Sequence, residues 1–209
     1  MSTARLNVNP TRMELQRLKN RLNTAKRGHK LLKDKTDEMT RRFMVVARRN
    51  KELREEVERE LSDAMKDFVL ARALTPPATV EETLMMPSRT VSLNAHTSTL
   101  MGVRVPRIGI VENEASDLFP YSFISVTSEM DSSIQTLNNL LVKLIKLAEV
   151  EKTTNVLADE IEKSKRRVNA LEYVMIPQLE ETVKYIRFRL EENERGALVR
   201  LMKVKDKNN

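Results

Sequence analysis

Residues 11–74 read TRMELQRLKN RLNTAKRGHK LLKDKTDEMT RRFMVVARRN KELREEVERE LSDAMKDFVL ARAL. The apolar residues fall at Leu15, Leu18, Leu22, Ala25, Leu32, Met39, Phe43, Val46, Leu53 and Val57, with His29, Thr36 and Asn50 filling the intervening places. This alternating three-four spacing is the seam of a left-handed coiled coil. The seam continues through Leu61, Ala64, Phe68 and Ala71, and the two steps of four around Val57 form a stutter that relaxes the supercoil locally. No proline interrupts the stretch. Thr11 and Glu14 have capping-box spacing behind Pro10, and Thr75-Pro76-Pro77 marks the stop. At 1.5 Å per residue such a helix is on the order of 95 Å long.

A second helical segment runs from about Ser128 to Lys205. Its seam reads Ile134, Leu137, Leu141, Leu144 and Ala148, then Leu157, Ile161, Val168, Leu171, Met175, Leu179, Val183, Ile186, Leu190, Ala197 and Leu201. Neither helix can bury its stripe alone in water, so antiparallel pairing as a hairpin is the economical solution, with both termini at one end. Residues 74–127 differ in composition, holding five of the seven Pro, two of the four Gly and only three basic residues. Val91 with Leu93, Val103 with Val105, and Ile108 with Ile110 alternate with polar neighbours, which predicts two or three short strands. Pro106 confines its strand to an edge or ends it. The expected fold is mostly α: a long antiparallel two-helix coiled coil with a small β-hairpin-containing module at the turn end. The expected organisation is a first coiled-coil helix (1–73), a small Pro-rich module (74–127) and a second coiled-coil helix (128–209).

The composition agrees. With 209 residues, 32% of them charged and 4% aromatic, the chain has little material for a broad globular core. The absence of Cys removes disulfide frameworks, zinc ribbons and thiol catalysis together, and fits a reducing compartment. No stretch approaches the roughly 18–20 uncharged apolar residues that span a bilayer, and Met1–Pro10 lacks the apolar core of a signal peptide, so a cytoplasmic chain without direct membrane insertion is expected. The net charge of +7 divides as +8 over residues 1–73, −2 over 74–127 and +1 over 128–209. Such an excess can face nucleic acid, anionic lipid or an acidic protein surface.

Little in the sequence points to catalysis. Gly28, Gly102, Gly109 and Gly196 do not have the spacing of a phosphate-binding loop, and no cofactor is implied. His29 and His96 are far apart and, with no Cys, form no metal cluster; His29 reads as a polar seam residue that sets register and His96 as a loop residue. Runs such as Glu55, Glu56, Glu58 and Glu60, or Glu191, Glu192 and Glu194, read as solvated helix faces with nothing to raise a pKa. Of the eleven Met, several, including Met39, Met44, Met65, Met175 and Met202, lie on or beside the stripes and read chiefly as core. The expectation is a non-enzyme.

Two residues break the pattern. Gly28 costs about 1 kcal/mol relative to Ala inside a helix. Pro177 lacks an N–H and crowds the carbonyl of Tyr173, which predicts a kink or local opening near Met175–Gln178. In an antiparallel hairpin Pro177 faces roughly residue 24, so the two irregularities are neighbours and form either one bend or a partner-binding notch.

Several stretches resemble the D subunit of V-type and archaeal-type (A-type) rotary ATPases. They are Asn9-Pro10-Thr11-Arg12, Gly28-His29-Lys30-Leu31-Leu32-Lys33, and Arg166-Arg167-Val168-Asn169-Ala170-Leu171-Glu172 leading to Ile176-Pro177. A basic pair followed by Val-Asn-Ala-Leu-Glu and then a helix-interrupting proline is not generic heptad sequence, and the likeness covers essentially the whole chain. The resemblance implies a central-stalk rotor shaft, coupling ATP hydrolysis or synthesis to proton or sodium transport by transmitting torque. It implies as partners the catalytic and non-catalytic ring subunits, a small F-like stalk protein, and an adaptor to the membrane ring, at the cytoplasmic face of the membrane. The 74–127 module departs most from the family pattern.

A long two-helix rod, which resists bending and twisting, agrees with the torque-transmitting role that the resemblance implies. Arg5, Arg12, Arg17, Lys19, Arg21, Arg195, Arg200, Lys203 and Lys205 cluster at the terminal end and are the candidate contacts to the acidic lining of a surrounding ring. Two other readings compete. A nucleic-acid-binding coiled-coil arm would use the basic first helix, yet Phe43 and Phe68 lie on the seam and leave no aromatic stacking platform, so no nucleic acid partner is expected. A structural tether or secretion-tip protein would share the long hairpin and the inserted module. Its mark would be failure to associate with an ATPase ring.

Overall fold

The computed structural model describes residues 5–85, 91–112 and 126–208. Residues 86–90 and 113–125, within the stretch expected to form a separate module, lie outside the described residues. The fold is the expected one: an antiparallel two-helix coiled coil carrying a small antiparallel β-hairpin. One 63-residue helix, α1 (Arg12–Leu74), follows from the uninterrupted seam. Thr11 caps it, its Oγ1 accepting the Glu14 N–H at 3.2 Å. The capping box is only half made, because the Thr11 N–H donates to the Asn9 carbonyl at 2.9 Å.

At the other end, the Thr75 N–H closes on the Ala71 carbonyl at 3.1 Å. The double proline that stops α1 also starts a short helix that periodicity had not signalled, α2 (Pro77–Met85). Pro77 occupies a first helical position, where its missing N–H costs nothing, and the Val80 N–H bonds the Pro76 carbonyl at 3.1 Å. Next come β1 (Val91–Leu100), β2 (Val103–Glu112), α3 (Ser128–Ala170), a π-helical turn (Leu171–Met175) and α4 (Ile176–Asn208).

The chain divides into two compact units, residues 1–38 with 161–209, and residues 39–160. In the first, the N-terminal part of α1 lies antiparallel to α4. Leu18, Leu179 and Ile186 are buried together, flanked by Val8, Leu15, Leu22, Ala25, Val183, Tyr185 and Leu190. The segment before α1 is tied along α4 by the Leu6 N–H, which donates to Thr182 Oγ1 at 3.2 Å.

In the second unit, the rest of α1 lies antiparallel to α3, where Arg54 meets Glu151 at 3.2 Å. At the turn, Ala71, Val80 and Met130 form a core under Phe68, Val126 and Ile134, and the Thr75 and Thr127 hydroxyls lie 3.2 Å apart. Here the seam differs from expectation. Leu140 is buried, whereas Leu141 and Leu144 are each 38% exposed, because periodicity alone cannot choose between adjacent leucines. The methionines differ too. Met39 is buried, but Met44, Met65, Met175 and Met202 are all exposed, since two helices bury only a narrow stripe and these residues flank it. Asn50 Oδ1 is buried in this unit without a hydrogen-bond partner. Asn50→Leu is therefore expected to stabilise the chain by about 1 kcal/mol, read as a higher thermal midpoint at unchanged helicity.

Of the two or three short strands expected, two are present among the described residues, each ten residues long and so longer than expected, paired from Val91↔Glu112 to Leu100↔Val103. His96 lies within β1, opposite Arg107, and not in a loop. The tight link is Met101-Gly102, both at positive φ (54° and 84°), as a two-residue hairpin turn requires. The Ile108 N–H bonds a carboxylate outside the hairpin, so it points away from β1. Pro106, two residues earlier, shares that orientation; its missing N–H falls on the outer edge and removes no ladder bond.

Candidate functional site

The basic residues expected to face a partner fall into two groups. The first is held within the chain. Arg5 lies 3.8 Å from Glu181 with its guanidinium 4.9 Å from the centroid of the Tyr185 ring, Arg12 pairs with Glu194, and Arg17 lies 3.6 Å from Glu14 one turn away. The Arg5 and Arg12 pairs fasten this end of the chain to α4, whereas the Arg17 pair lies within α1. The second group, Lys19, Arg21, Arg195, Lys203 and Lys205, is exposed and makes no ion pair among the described residues. Arg200 is also exposed, its Nε donating to the Gly196 carbonyl of its own helix at 3.1 Å.

The apolar seam stops before the helix does. Arg12, the first residue of α1, is opposite Glu194, so the last turns of α4 have no α1 residue facing them. Leu198, Val199, Leu201, Met202 and Val204 are each more than half exposed, including Leu201, which reads as a seam position in the sequence. The result is a helix end with apolar and cationic side chains all around it.

Deeper in the same unit are the two irregular residues. The opening expected near Met175–Gln178 lies about one turn earlier, as a π-helical turn at Leu171–Met175, and Pro177 itself sits in the first turn of α4. A wider turn relieves the clash between the proline ring and the carbonyl of the preceding turn. It presents Tyr173, Val174 and Met175 to solvent. Opposite it, a Cβ at Gly28 would meet nothing within 4 Å, so close helix approach is not what Gly28 provides. His29 Nε2 lies 3.2 Å from Glu172 Oε2, and Lys26 Nζ lies 2.6 Å from Glu180, so Gly28 and Pro177 are indeed neighbours across the pair.

A family model for the ATP synthase D subunit matches residues 14–206. The chain belongs to the ATP synthase D-subunit family. It is 55% identical over 205 residues to the V-type ATP synthase D subunit of Clostridium novyi, covering 97% of this chain and 95% of that one. It is 54% identical over 201 residues to the V-type ATP synthase D subunit of a Thermoanaerobacter species, covering 96% of each chain. It is 54% identical over 205 residues to that of Streptococcus pyogenes serotype M3, covering 96% of this chain and 99% of that one.

In this member of the D-subunit family, the stretch that carried the resemblance surrounds the π turn. Arg166 pairs with Glu162 on its own helix, Arg167 and Asn169 are exposed, and Glu172 reaches His29. Among the described residues there is no group of three or more His, Asp or Glu placed to hold a metal, and no helix is long and apolar enough to cross a membrane.

The sequence reading missed a three-residue charge cluster between α1 and α3. Lys143 Nζ donates to Glu56 Oε1 at 2.7 Å and also to Glu60 Oε1. Glu56 and Glu60 read as solvated helix face, and their spacing of four did signal a shared face; only the fold brings Lys143 to it. The hydrogen bond from Lys143 and its charge hold the Glu56 carboxyl below its ordinary range, and the two glutamates raise Lys143. The stabilisation from Glu56 is present at neutral pH and lost as pH falls through its lowered pKa, whereas that from Lys143 is lost only as pH rises through its raised one. The thermal midpoint gap between the wild type and Lys143→Met is therefore expected to be open at pH 7 and to narrow by pH 3. A pH-independent gap in paired melts would show that packing, not charge, carries the effect.

Proposed function

We propose that this chain is the non-catalytic central rotor shaft of a V/A-type rotary ATPase, transmitting torque between a catalytic ring and a membrane ring that carries protons or sodium ions. The observation that carries the reading is the end of α4. Leu198, Val199, Leu201, Met202 and Val204 stand exposed among Arg195, Arg200, Lys203 and Lys205, on a helix stub with no α1 residue facing it. An apolar-cationic peg suits a surrounding sleeve with an acidic lining, because screened charge attracts without locking one angle. Lys19 and Arg21 extend the cationic surface onto α1.

Three functional parts follow from this reading. Residues 1–73 and 128–209 form the shaft, and 74–127 form a module of its own. The catalytic and non-catalytic ring subunits surround the terminal end, an F-like stalk protein lies alongside the coiled coil, and an adaptor joins the other end to the membrane ring at its cytoplasmic face. Gly28 and Pro177 mark a notch rather than a simple bend, supported by the exposure of Tyr173, Val174 and Met175 beside them. The test mixes the purified chain and its F-like partner with the reconstituted catalytic ring, and follows native mass together with ATP turnover. One shaft per ring with altered turnover is the expected result. A well-folded helical chain that fails to associate at moderate ionic strength would overturn the reading and leave a structural tether.

A further inference from the structure

The β-hairpin has only two strands, and among the described residues they pair only with each other. A two-stranded ribbon has no core of its own, so its position on the helices depends on what anchors it. One side chain stands out. Glu149 of α3 is largely buried, its side chain 16% exposed. Its Oε1 accepts a hydrogen bond from Arg107 Nη1 at 2.8 Å, and its Oε2 accepts one from the backbone N–H of Ile108 at 3.1 Å. Both carboxylate oxygens are therefore used on consecutive residues of β2, one bond from a charged side chain and one from the outer edge of the strand. Bonds to an ionised acceptor are the strong ones, and two a residue apart restrain rotation as well as translation.

Packing around this clip is incomplete. A cavity of about 430 Å³ lies beside it, lined by Val46 and Arg49 of α1, Leu100 and Val105 of the hairpin, and Val150 and Thr153 of α3. Val103 and Val105 of β2 are buried and supply apolar contact beside this space, but over the cavity itself the hairpin lacks the close van der Waals contact that would fix its angle. The β1 residues from Val91 to Thr97 are exposed, so β1 adds no buried anchor along that length.

The geometry points to Glu149 as a positioning residue: buried Val103 and Val105 give the hairpin a non-directional apolar seat, and the Glu149 carboxylate fixes its register and angle there, making the hairpin an arm whose orientation rests on this clip. This goes beyond the shaft reading and does not depend on it, because the arm can be followed in the full chain without any ring.

The natural absence of Cys allows two labels to be placed cleanly, by Thr97→Cys on β1 and Lys152→Cys on α3, both exposed positions. Spin-label distances and amide hydrogen exchange are then read with Glu149 intact, with Glu149→Gln and with Glu149→Ala. With Glu149 intact, one narrow distance distribution is expected. Glu149→Ala should broaden it severalfold in width and speed exchange of the Ile108 amide by about tenfold or more, at unchanged helicity. Glu149→Gln, which keeps the shape and an acceptor but not the charge, should fall between, and remains readable if the alanine variant folds poorly. The exchanged pair Arg107→Glu with Glu149→Arg restores the ion pair but offers the Ile108 N–H no acceptor. It should recover the distance in part while Ile108 exchange stays fast. A broad distribution with Glu149 intact, or a distribution and exchange rate unmoved by Glu149→Ala, would overturn the assignment.

Discussion

Replacing Arg195, Arg200, Lys203 and Lys205 together by Glu is expected to weaken association with the reconstituted catalytic ring by roughly tenfold or more and to lower its ATP turnover, while the thermal midpoint of the isolated chain barely moves. The separation of the two effects follows from placement. All four residues are exposed, and none is held by an ion pair among the described residues. Their charge therefore contributes little to the fold, where exposed pairs are worth about 0–1 kcal/mol even when made. Reversal turns a screened attraction to an acidic sleeve into repulsion, and the loss should shrink as salt rises. Equal losses of turnover and stability would count against a ring-facing role. Arg5 and Arg12 make a useful contrast, since their partners Glu181 and Glu194 lie within the chain and reversal there should loosen the N-terminal segment itself.

Ile186→Ala is expected to cost about 2–5 kcal/mol, read by thermal or denaturant unfolding of the isolated chain. Ile186 is fully buried with Leu18 and Leu179, in a layer closed by Val8 and Tyr185. A two-helix structure has no second layer to collapse into the space, so a cavity there stays open. Leu201→Ala is the matched control. Leu201 continues the same heptad text, yet it is 66% exposed, and its truncation should move stability by no more than about 0.5 kcal/mol. A large effect at Leu201 in the isolated chain would mean that the stub of α4 is covered in solution.

These two positions, Ile186 and Leu201, also show how far the sequence could be read. The three-four spacing placed Leu18, Met39, Val57, Leu157, Leu179 and Ile186 in the seam, and all are buried. It placed Leu201 there as well, because periodicity reports which residues share a face and not whether anything faces them. The same limit explains Leu140 against Leu141 and the exposed methionines. An opening near Pro177 was legible because a missing N–H and a ring clash are local facts. The widened π form it takes was not, since that depends on how the seam on either side is held. α2 was hidden for a related reason: Pro76-Pro77 says that α1 must end, while helix formation immediately afterwards is favoured by Val80 packing on Ala71 and Met130.

By itself the sequence determined the elements that depend on near neighbours along the chain: the long helices, their caps and stops, the hairpin strands, the lack of thiol chemistry, and the motifs that mark the D-subunit family. The tertiary structure decided what depends on residues distant in sequence. It brought Lys143 to Glu56 and Glu60, His29 to Glu172, and Glu149 to Arg107 and Ile108. Among the described residues it also left the last turns of α4 without a partner helix, because α1 begins opposite Glu194. Helix and strand propensity act over a few residues, whereas the meeting of two side chains is set by the register between elements, and register is settled only when the seams pack.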